Sequence, residues 1–265
     1  IVERSLREAL IRLNPSIAEK PERADEVIYR LRTIWLGSHS TGLVAANQEF
    51  EKWLKNDKSM PFGPNNEHVT IQLVDFDNPG NNEFIVTKEW TFIQAGVEKR
   101  FDVVYLINGI PVVIGEVKTP VRDAVSWLDG ALQVHDDYEI NVSQMFVPNV
   151  FSYASEGKAF RYGSVRMPIE MWGPWREDEG HALSDVRRTL KSLMRPEVIL
   201  DILQNFTLFA TDKKHRAIKI ICRYQQYDGA NKIVERVVRG QDKKGLIWHF
   251  QGSGKSLLMV FVSNK

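Results

Sequence analysis

Cysteine is almost missing from this chain of 265 residues: Cys222 stands alone. An internal disulfide and a cysteine-built zinc cage are therefore excluded, and with them a small secreted scaffold held by staples. Long apolar runs are missing too. No stretch approaches the roughly 18–20 apolar residues that cross a bilayer. The opening Ile1-Val-Glu-Arg-Ser-Leu-Arg-Glu reads as a charged amphipathic helix and not as a signal peptide. Neither charge is in excess: 35 Lys and Arg against 34 Asp and Glu leave +1. That balance excludes a histone-like coat and a disordered charged tail. Internal repeats and low-complexity tracts are absent. What is present, 43% hydrophobic and 10% aromatic residues, suffices to bury one sizeable core and begin a second. These features predict a cytoplasmic protein without membrane contact, in which any nucleic acid is held by a local patch.

Apolar spacing predicts a helix carrying Leu6, Ala9, Leu10 and Leu13 that stops near Pro15. Further helices follow over Arg23–Trp35 and, after a break at His39-Ser40-Thr41-Gly42, over Gly42–Leu54. Residues 55–67 favour turns. The character then changes to β, with runs at His68–Phe76, Glu83–Gln94, Arg100–Ile107 and Ile110–Val117. Asn108-Gly109 between the last two is a strong hairpin signal. A helix over Ala124–Tyr138 and short strands at Val150–Ala154 and Ala159–Tyr162 complete an α/β core with a mixed sheet over residues 1–166. Residues 167–216 read as a linker, in which Trp172 and Trp175 form a clasp, followed by helices at Ser184–Arg195 and Pro196–Gln204. Residues 217–265 begin another unit: a strand at Ala217–Cys222, a helix through Val237, a strand at Gly245–Phe250, and a glycine loop opening a helix. A parallel strand–loop–helix unit needs a further strand to bury its faces, so the expectation is a domain cut just after its start.

Asp102, Glu116 and Lys118 interrupt two otherwise apolar strands, where each charge needs a partner or a metal. Glu116 and Lys118 lie two apart and share a face. Whether Asp102 joins them depends on the turn. A two-residue Asn108-Gly109 loop pairs Ile107 with Ile110 and sets Asp102 against Gly115, leaving Glu116 on the other face. A three-residue loop pairs Leu106 with Ile110 and brings Asp102 to the side of Glu116. A functional site thus requires the odd-length loop; the alternative is a solvated strand end whose charges merely pair. If the three converge, Asp102, Glu116 and the backbone carbonyl of Val117 suit Mg²⁺, or Mn²⁺ in its place. Lys118 would then orient a water for phosphodiester hydrolysis and stabilise charge at phosphorus.

Near the end of the chain, Gly252-Ser253-Gly254-Lys255-Ser256 follows a strand-like run and precedes an apolar helix. Glycines there let backbone N–H groups cradle phosphates; Lys255 would reach the β- and γ-phosphates and the Ser256 hydroxyl would hold Mg²⁺. The strict phosphate-loop pattern wants glycine where His249 stands. Lys213-Lys214-His215-Arg216 and Arg187-Arg188 are candidate phosphate contacts, with a solvated charged face as the alternative.

The stretch from Arg100 to Pro120, with Gly130–Tyr138 and Glu156–Ser164, resembles the PD-(D/E)xK nuclease superfamily, and more narrowly the restriction (R) subunit of type I restriction-modification enzymes. The resemblance implies a mixed-sheet nuclease core flanked by helices, then a helical connector and the start of a phosphate-loop motor domain. It makes Asp102 and Glu116 metal ligands and Lys118 catalytic. It adds a Glu on the first helix, for which Glu3 is the best match and Glu8 the alternative. It also adds a Gln-x-x-x-Tyr element, met here by Gln133; Tyr138 falls one residue late, and residues five apart on an α-helix lie about 140° apart. His135 is read as a surface or satisfied histidine. His-x-Gln-Gly-Ser-Gly-Lys-Ser resembles helicase motif I of the same subunits, and Arg223-Tyr-Gln-Gln226 resembles the adenine-reading element of such motors. The implied function is cleavage of double-stranded DNA, coupled in a longer protein to ATP-driven translocation, with methyltransferase and specificity subunits as partners. A repair nuclease–helicase, and a motor whose nuclease fold is vestigial, share these motifs.

Overall fold

The tight turn at Asn108-Gly109 sits at the heart of the fold. The computed structural model describes residues 1–121, 124–176, 182–240, 244–248 and 252–265. In chain order the elements are α1 (Glu3–Leu13), α2 (Pro15–Ala18), α3 (Arg23–Thr41), α4 (Leu43–Leu54), β1 (Ser59–Met60), β2 (Val69–Thr70), β3 (Phe84–Gln94), β4 (Val97–Ile107) and β5 (Ile110–Val117). Helix α5 (Trp127–Leu132) runs through a π-helical turn, Gln133–Tyr138, into α6 (Glu139–Asn141). Then come β6 (Phe151–Ser155), β7 (Phe160–Gly163), α7 (Leu183–Leu193), α8 (Pro196–Asn205), β8 (Thr207–Thr211), β9 (Ala217–Ile221), α9 (Tyr224–Arg239) and α10 (Lys255–Asn264).

Strands β3-β4-β5-β6-β7 form one sheet in that order, antiparallel except for the parallel β5–β6 pair. The mixed sheet expected from the sequence is present. Strand β5 is buried on both faces, as a strand paired in parallel usually is. Val113 packs into a cluster with Leu6, Leu10, Phe50 and Phe151, and Ile114 into a second with Phe101, Ala131, Val134 and Tyr138. Among the described residues no helix is long and apolar enough to cross a membrane.

Several expectations change. Helix α3 runs on through His39-Ser40-Thr41 and ends only at Gly42, whose φ of 84° an L side chain resists. The strand expected over His68–Phe76 shrinks to Val69–Thr70, because side-chain amides take the place of a neighbouring strand. Asn14 bonds both the amide and the carbonyl of Gln72, and Asn56 bonds the Leu73 amide and the Val74 carbonyl. The strand expected at Ala217–Cys222 is present as β9, but its only sheet partner among the described residues is β8, which the sequence had not marked as a strand; the two form a separate two-stranded sheet. Gly245 to Trp248 form no strand, and the rest of that expected run, His249 and Phe250, lies outside the described residues.

Residues assigned by sequence to three segments share one core. Trp175, Phe206, Cys222 and Phe261 belong to the same cluster as Leu6 and Phe151. The Trp175 ring packs on Tyr162 at 5.7 Å and on Tyr227 at 5.1 Å, as a clasp requires, while Trp172 joins the other cluster. Polar ties cross the same seam. The fully buried Lys219 ammonium reaches Glu51 at 2.8 Å and the Asn149 carbonyl at 2.7 Å, and the Tyr162 hydroxyl donates to the Cys222 carbonyl at 2.6 Å.

Candidate active site

The parity of the β4–β5 hairpin decides whether Asp102 meets Glu116. The loop has two residues: Ile107 pairs with Ile110 and Leu106 with Pro111. Asn108 and Gly109 have φ of 51° and 77°, the left-handed pair of a tight hairpin turn. By loop length alone Asp102 would lie against Gly115. The register then shifts: Tyr105 pairs with Val113, Val104 with Ile114 and Val103 with Gly115. Val112 is the extra residue of a β-bulge, and one further step of the shifted register sets Asp102 against Glu116. The odd-length loop expected from the sequence is thus overturned, and the bulge supplies the parity. Its physical cause is Pro111, which cannot donate to a ladder and is tolerated inside a sheet at bulges. The Val112 carbonyl is satisfied from the other side by the Val150 amide at 2.7 Å. Proline inside a strand was the signal that sequence reading passed over.

Beyond the bulge the acidic and basic groups converge. The Asp102 carboxylate accepts the Val117 amide hydrogen at 2.8 Å. Glu116 is 3% exposed; its Oε1 accepts from Lys118 Nζ at 2.6 Å, and its Oε2 is buried with no hydrogen-bond partner. Burial pushes the Glu116 carboxyl above its ordinary range; the Lys118 bond works against this and the Asp102 charge adds to it. Helix α5 covers this face closely because residue 130 is glycine: a Cβ there would stand 3.2 Å from Ala154 and 3.4 Å from Glu116. A capping box between Ser126 and Asp129 starts that helix.

Lys118 also donates to Gln133 Oε1, Gln133 Nε2 donates to the Tyr138 hydroxyl, and that hydroxyl donates to the Arg100 carbonyl at 3.3 Å. The 140° separation expected of Gln133 and Tyr138 does not occur, because the intervening turn is π-helical and its wider spacing returns position i+5 to the same side. Burial, then the Glu116 charge, pushes the Tyr138 hydroxyl up to about 12.

Other sequence candidates lie apart. Glu3 is not brought to the cluster. The Val2 amide bonds the Gly109 carbonyl at 2.7 Å, which pins the start of α1 to the hairpin tip, about 23 Å of strand from Glu116. Glu3 pairs there with Arg32, and the alternative, Glu8, pairs with Arg4 at 3.0 Å. His135 pairs with Asp136 at 2.6 Å. Lys213, Lys214 and Arg216 occupy the turn between β8 and β9, where Arg216 pairs with Asp212 at 2.8 Å. Among the described residues no three His, Cys, Asp or Glu side chains gather as a metal cage. The oxygen donors of the cluster are two carboxylates. That set, with one buried carboxylate oxygen unpartnered, fits a hard divalent ion that keeps several waters.

At the other end of the chain Gly252 and Gly254 have φ of 84° and 79°, and α10 begins at Lys255. Gln226 is not open to a base. It is 3% exposed, its Oε1 accepts the Arg223 amide at 2.9 Å, and its Nε2 donates to the Gly254 carbonyl at 3.2 Å. The carboxamide is used to tie α9 to the glycine loop. A cavity of about 920 Å³ lies beside this contact, lined by Leu132, His135, Arg166, Ile220, Arg223 and Gln226; Asp102, Glu116 and Lys118 do not line it.

Residues 1–170 match the family described as type I restriction enzyme R protein N terminus, and residues 225–265 match the SWI2/SNF2 ATPase family. The type I restriction enzyme HindI endonuclease subunit of Haemophilus influenzae is 32% identical over 275 residues, covering 98% of this chain and 25% of the relative. Two Methanocaldococcus jannaschii proteins, the putative type I restriction enzyme MjaIXP and MjaVIIP endonuclease subunits, are 27% and 30% identical and cover 82% and 75% of the chain. The chain spans 25%, 23% and 19% of the length of these three relatives.

Proposed function

This chain belongs to the type I restriction enzyme R protein family, matched at its N-terminal region, and from that premise we propose that Asp102, Glu116 and Lys118 form a metal-dependent endonuclease site for double-stranded DNA. The observation that carries the reading is the opposition of Asp102 and Glu116 across the bulged hairpin, with Lys118 bonded to Glu116 at 2.6 Å. Asp102, Glu116 and the Val117 carbonyl would hold Mg²⁺ or Mn²⁺. When bound, the ion supplies Lewis acidity toward the scissile phosphate and a more acidic water.

The chain's own groups do the positioning. Lys118 carries a fixed positive charge for the phosphate in its most negative form. Gln133 aims that ammonium, because its Oε1 faces Lys118 while its Nε2 is held by Tyr138. Buried Glu116, its carboxyl raised, gains a counter-charge when a cation arrives, which favours loading of the site. In the longer protein, the loop Gly252-Ser253-Gly254-Lys255-Ser256 would hold the phosphates of ATP for a translocating motor; the left-handed glycines and the SWI2/SNF2 match support this. Gln226 and Arg223 would act there by shaping the loop. Methyltransferase and specificity subunits are the partners proposed from the family. The test is plasmid nicking with Mg²⁺ or Mn²⁺. Asp102→Ala, Glu116→Ala and Lys118→Ala should each lower the rate at least about 100-fold, a loss typical of removing a group that stabilises transition-state charge; activity surviving all three would sink the assignment.

A further inference from the structure

Helix α7 separates its residues by charge. At 3.6 residues per turn, Arg187, Arg188 and Lys191 fall within about 100° of arc, and Arg195 follows just past the helix end. Val186, Thr189 and Leu193 are buried on the opposite side. All four basic residues are exposed. Asp185 pairs with Arg188 at 2.8 Å and Glu197 with Arg195 at 3.5 Å. Among the described residues neither Arg187 nor Lys191 is paired with a carboxylate, so these two cations are available on this face.

The helix is also placed against the candidate site. A Cβ at Gly157 would stand 3.6 Å from Pro120 and 3.7 Å from Leu183, so the first residue of α7 and the loop that follows Lys118 lie on either side of this glycine. The Lys118 amide bonds Ser155 at 2.8 Å, just before that glycine. On its inner side α7 is anchored by Trp175, whose indole donates to Ser192 Oγ at 3.2 Å. Measured along the helix axis from Leu183, the basic face starts about 6 Å on, at Arg187, and reaches Lys191 after about 12 Å. The rise from Arg187 to Lys191, about 6 Å, is close to that of two nucleotides at about 3.4 Å each, and Arg195 continues the basic run past the helix end.

We infer that the exposed face of α7 is a track for the backbone of duplex DNA, with Arg187, Lys191 and Arg195 contacting phosphates on one side of the scissile position. The choice of ligand rests on the nuclease reading above. Contacts of this kind position the duplex without reading its sequence, and they make binding depend steeply on salt.

The test uses the 265-residue chain carrying Glu116→Gln, which binds without cutting. Affinity for a short labelled duplex is measured by fluorescence anisotropy between about 50 and 200 mM salt. Relative to that parent, Arg187→Ala/Lys191→Ala should lower the slope of log affinity against log salt by about 1.8, which is about 0.9 for each phosphate no longer neutralised. Arg187→Glu/Lys191→Glu should weaken binding further, with circular dichroism unchanged because both positions are exposed. An unchanged slope, no duplex binding at all, or an equal loss from Lys20→Ala/Arg30→Ala would each overturn the track. The nuclease reading fails separately: if wild-type chain with Mg²⁺ does not nick while the slope falls as stated, the track stands and the cleavage assignment does not.

Discussion

Gln133 and Tyr138 are hydrogen-bonded across a single π-helical turn, although an α-helix would hold residues five apart on different sides. The wider turn makes the carboxamide a link between the Lys118 ammonium and the Arg100 carbonyl of strand β4. Two elements distant in the chain thereby set the direction of one charge, and π-turns recur at functional sites for this kind of reason.

Tyr138→Phe should test that link. The ring would keep its edge contact with Phe101 at 5.0 Å, while Gln133 Nε2 and the Arg100 carbonyl lose their partner. The expected cost is about 1 kcal/mol, read from the urea midpoint, together with a several-fold fall in nicking rate. A wild-type rate in this variant would show that Lys118 needs no such guidance.

Glu116→Gln should raise the unfolding midpoint at pH 8 while abolishing nicking. Burial and Asp102 lift the Glu116 carboxyl above its ordinary range, so its ionised form is a burden on the folded chain without a cation. The amide removes that burden and can still accept from Lys118. The gain over wild type should shrink on acidification, as wild-type Glu116 takes up its proton; thermal melts at pH 5 and pH 8 would compare the two.

Glu139 predicts a second pH effect. Buried at the first residue of α6, directly after the π-turn, it is pushed up to about 8, chiefly by burial, against the Arg166 amide and guanidinium that favour its charge. The folded chain therefore keeps a proton that the unfolded chain releases above its ordinary carboxyl range. Stability from this group is full below about pH 4.5 and is lost as pH rises toward about 8. Glu139→Gln should flatten that part of the stability profile, and a slope equal to wild type would contradict the assignment.

Glu51 and Lys219 should behave as a buried pair. Glu51→Ala leaves the Lys219 ammonium with zero exposure, the Asn149 carbonyl and the face of the Phe209 ring, and no counter-charge at hydrogen-bond distance among the described residues. The expected cost is about 3–5 kcal/mol. Replacing both, Glu51→Leu with Lys219→Met, should recover most of it, because an apolar pair of similar volume avoids desolvating two charges. Denaturant titration of the four proteins closes the cycle.

The helices and long strands were legible because their signals are local. Leu6, Ala9, Leu10 and Leu13 are all buried on α1 as their spacing requires, and Asn108-Gly109 makes the turn that its residues favour. The chemical types at the site were legible as well, since Asp102, Glu116 and Lys118 stand out in apolar strands. Glu3 was misplaced because helix membership says nothing about which end of a sheet a helix caps. The bonds that Gln226 makes to the Arg223 amide and the Gly254 carbonyl were not legible, because a motif does not show how its carboxamide is bonded. Strand β8 was missed because Thr207–Thr211 is half exposed and gains its order from pairing with β9.

Local chemistry in the chain determined the element types, the apolar faces and the three ionisable residues that interrupt them, because periodicity and charge act over a few neighbours. Only the tertiary structure decided that those residues face one another. Opposition across two strands depends on a bulge, and the Gln133–Tyr138 contact on a π-turn. Each is a single extra residue whose cost is met by packing against elements far away in the sequence.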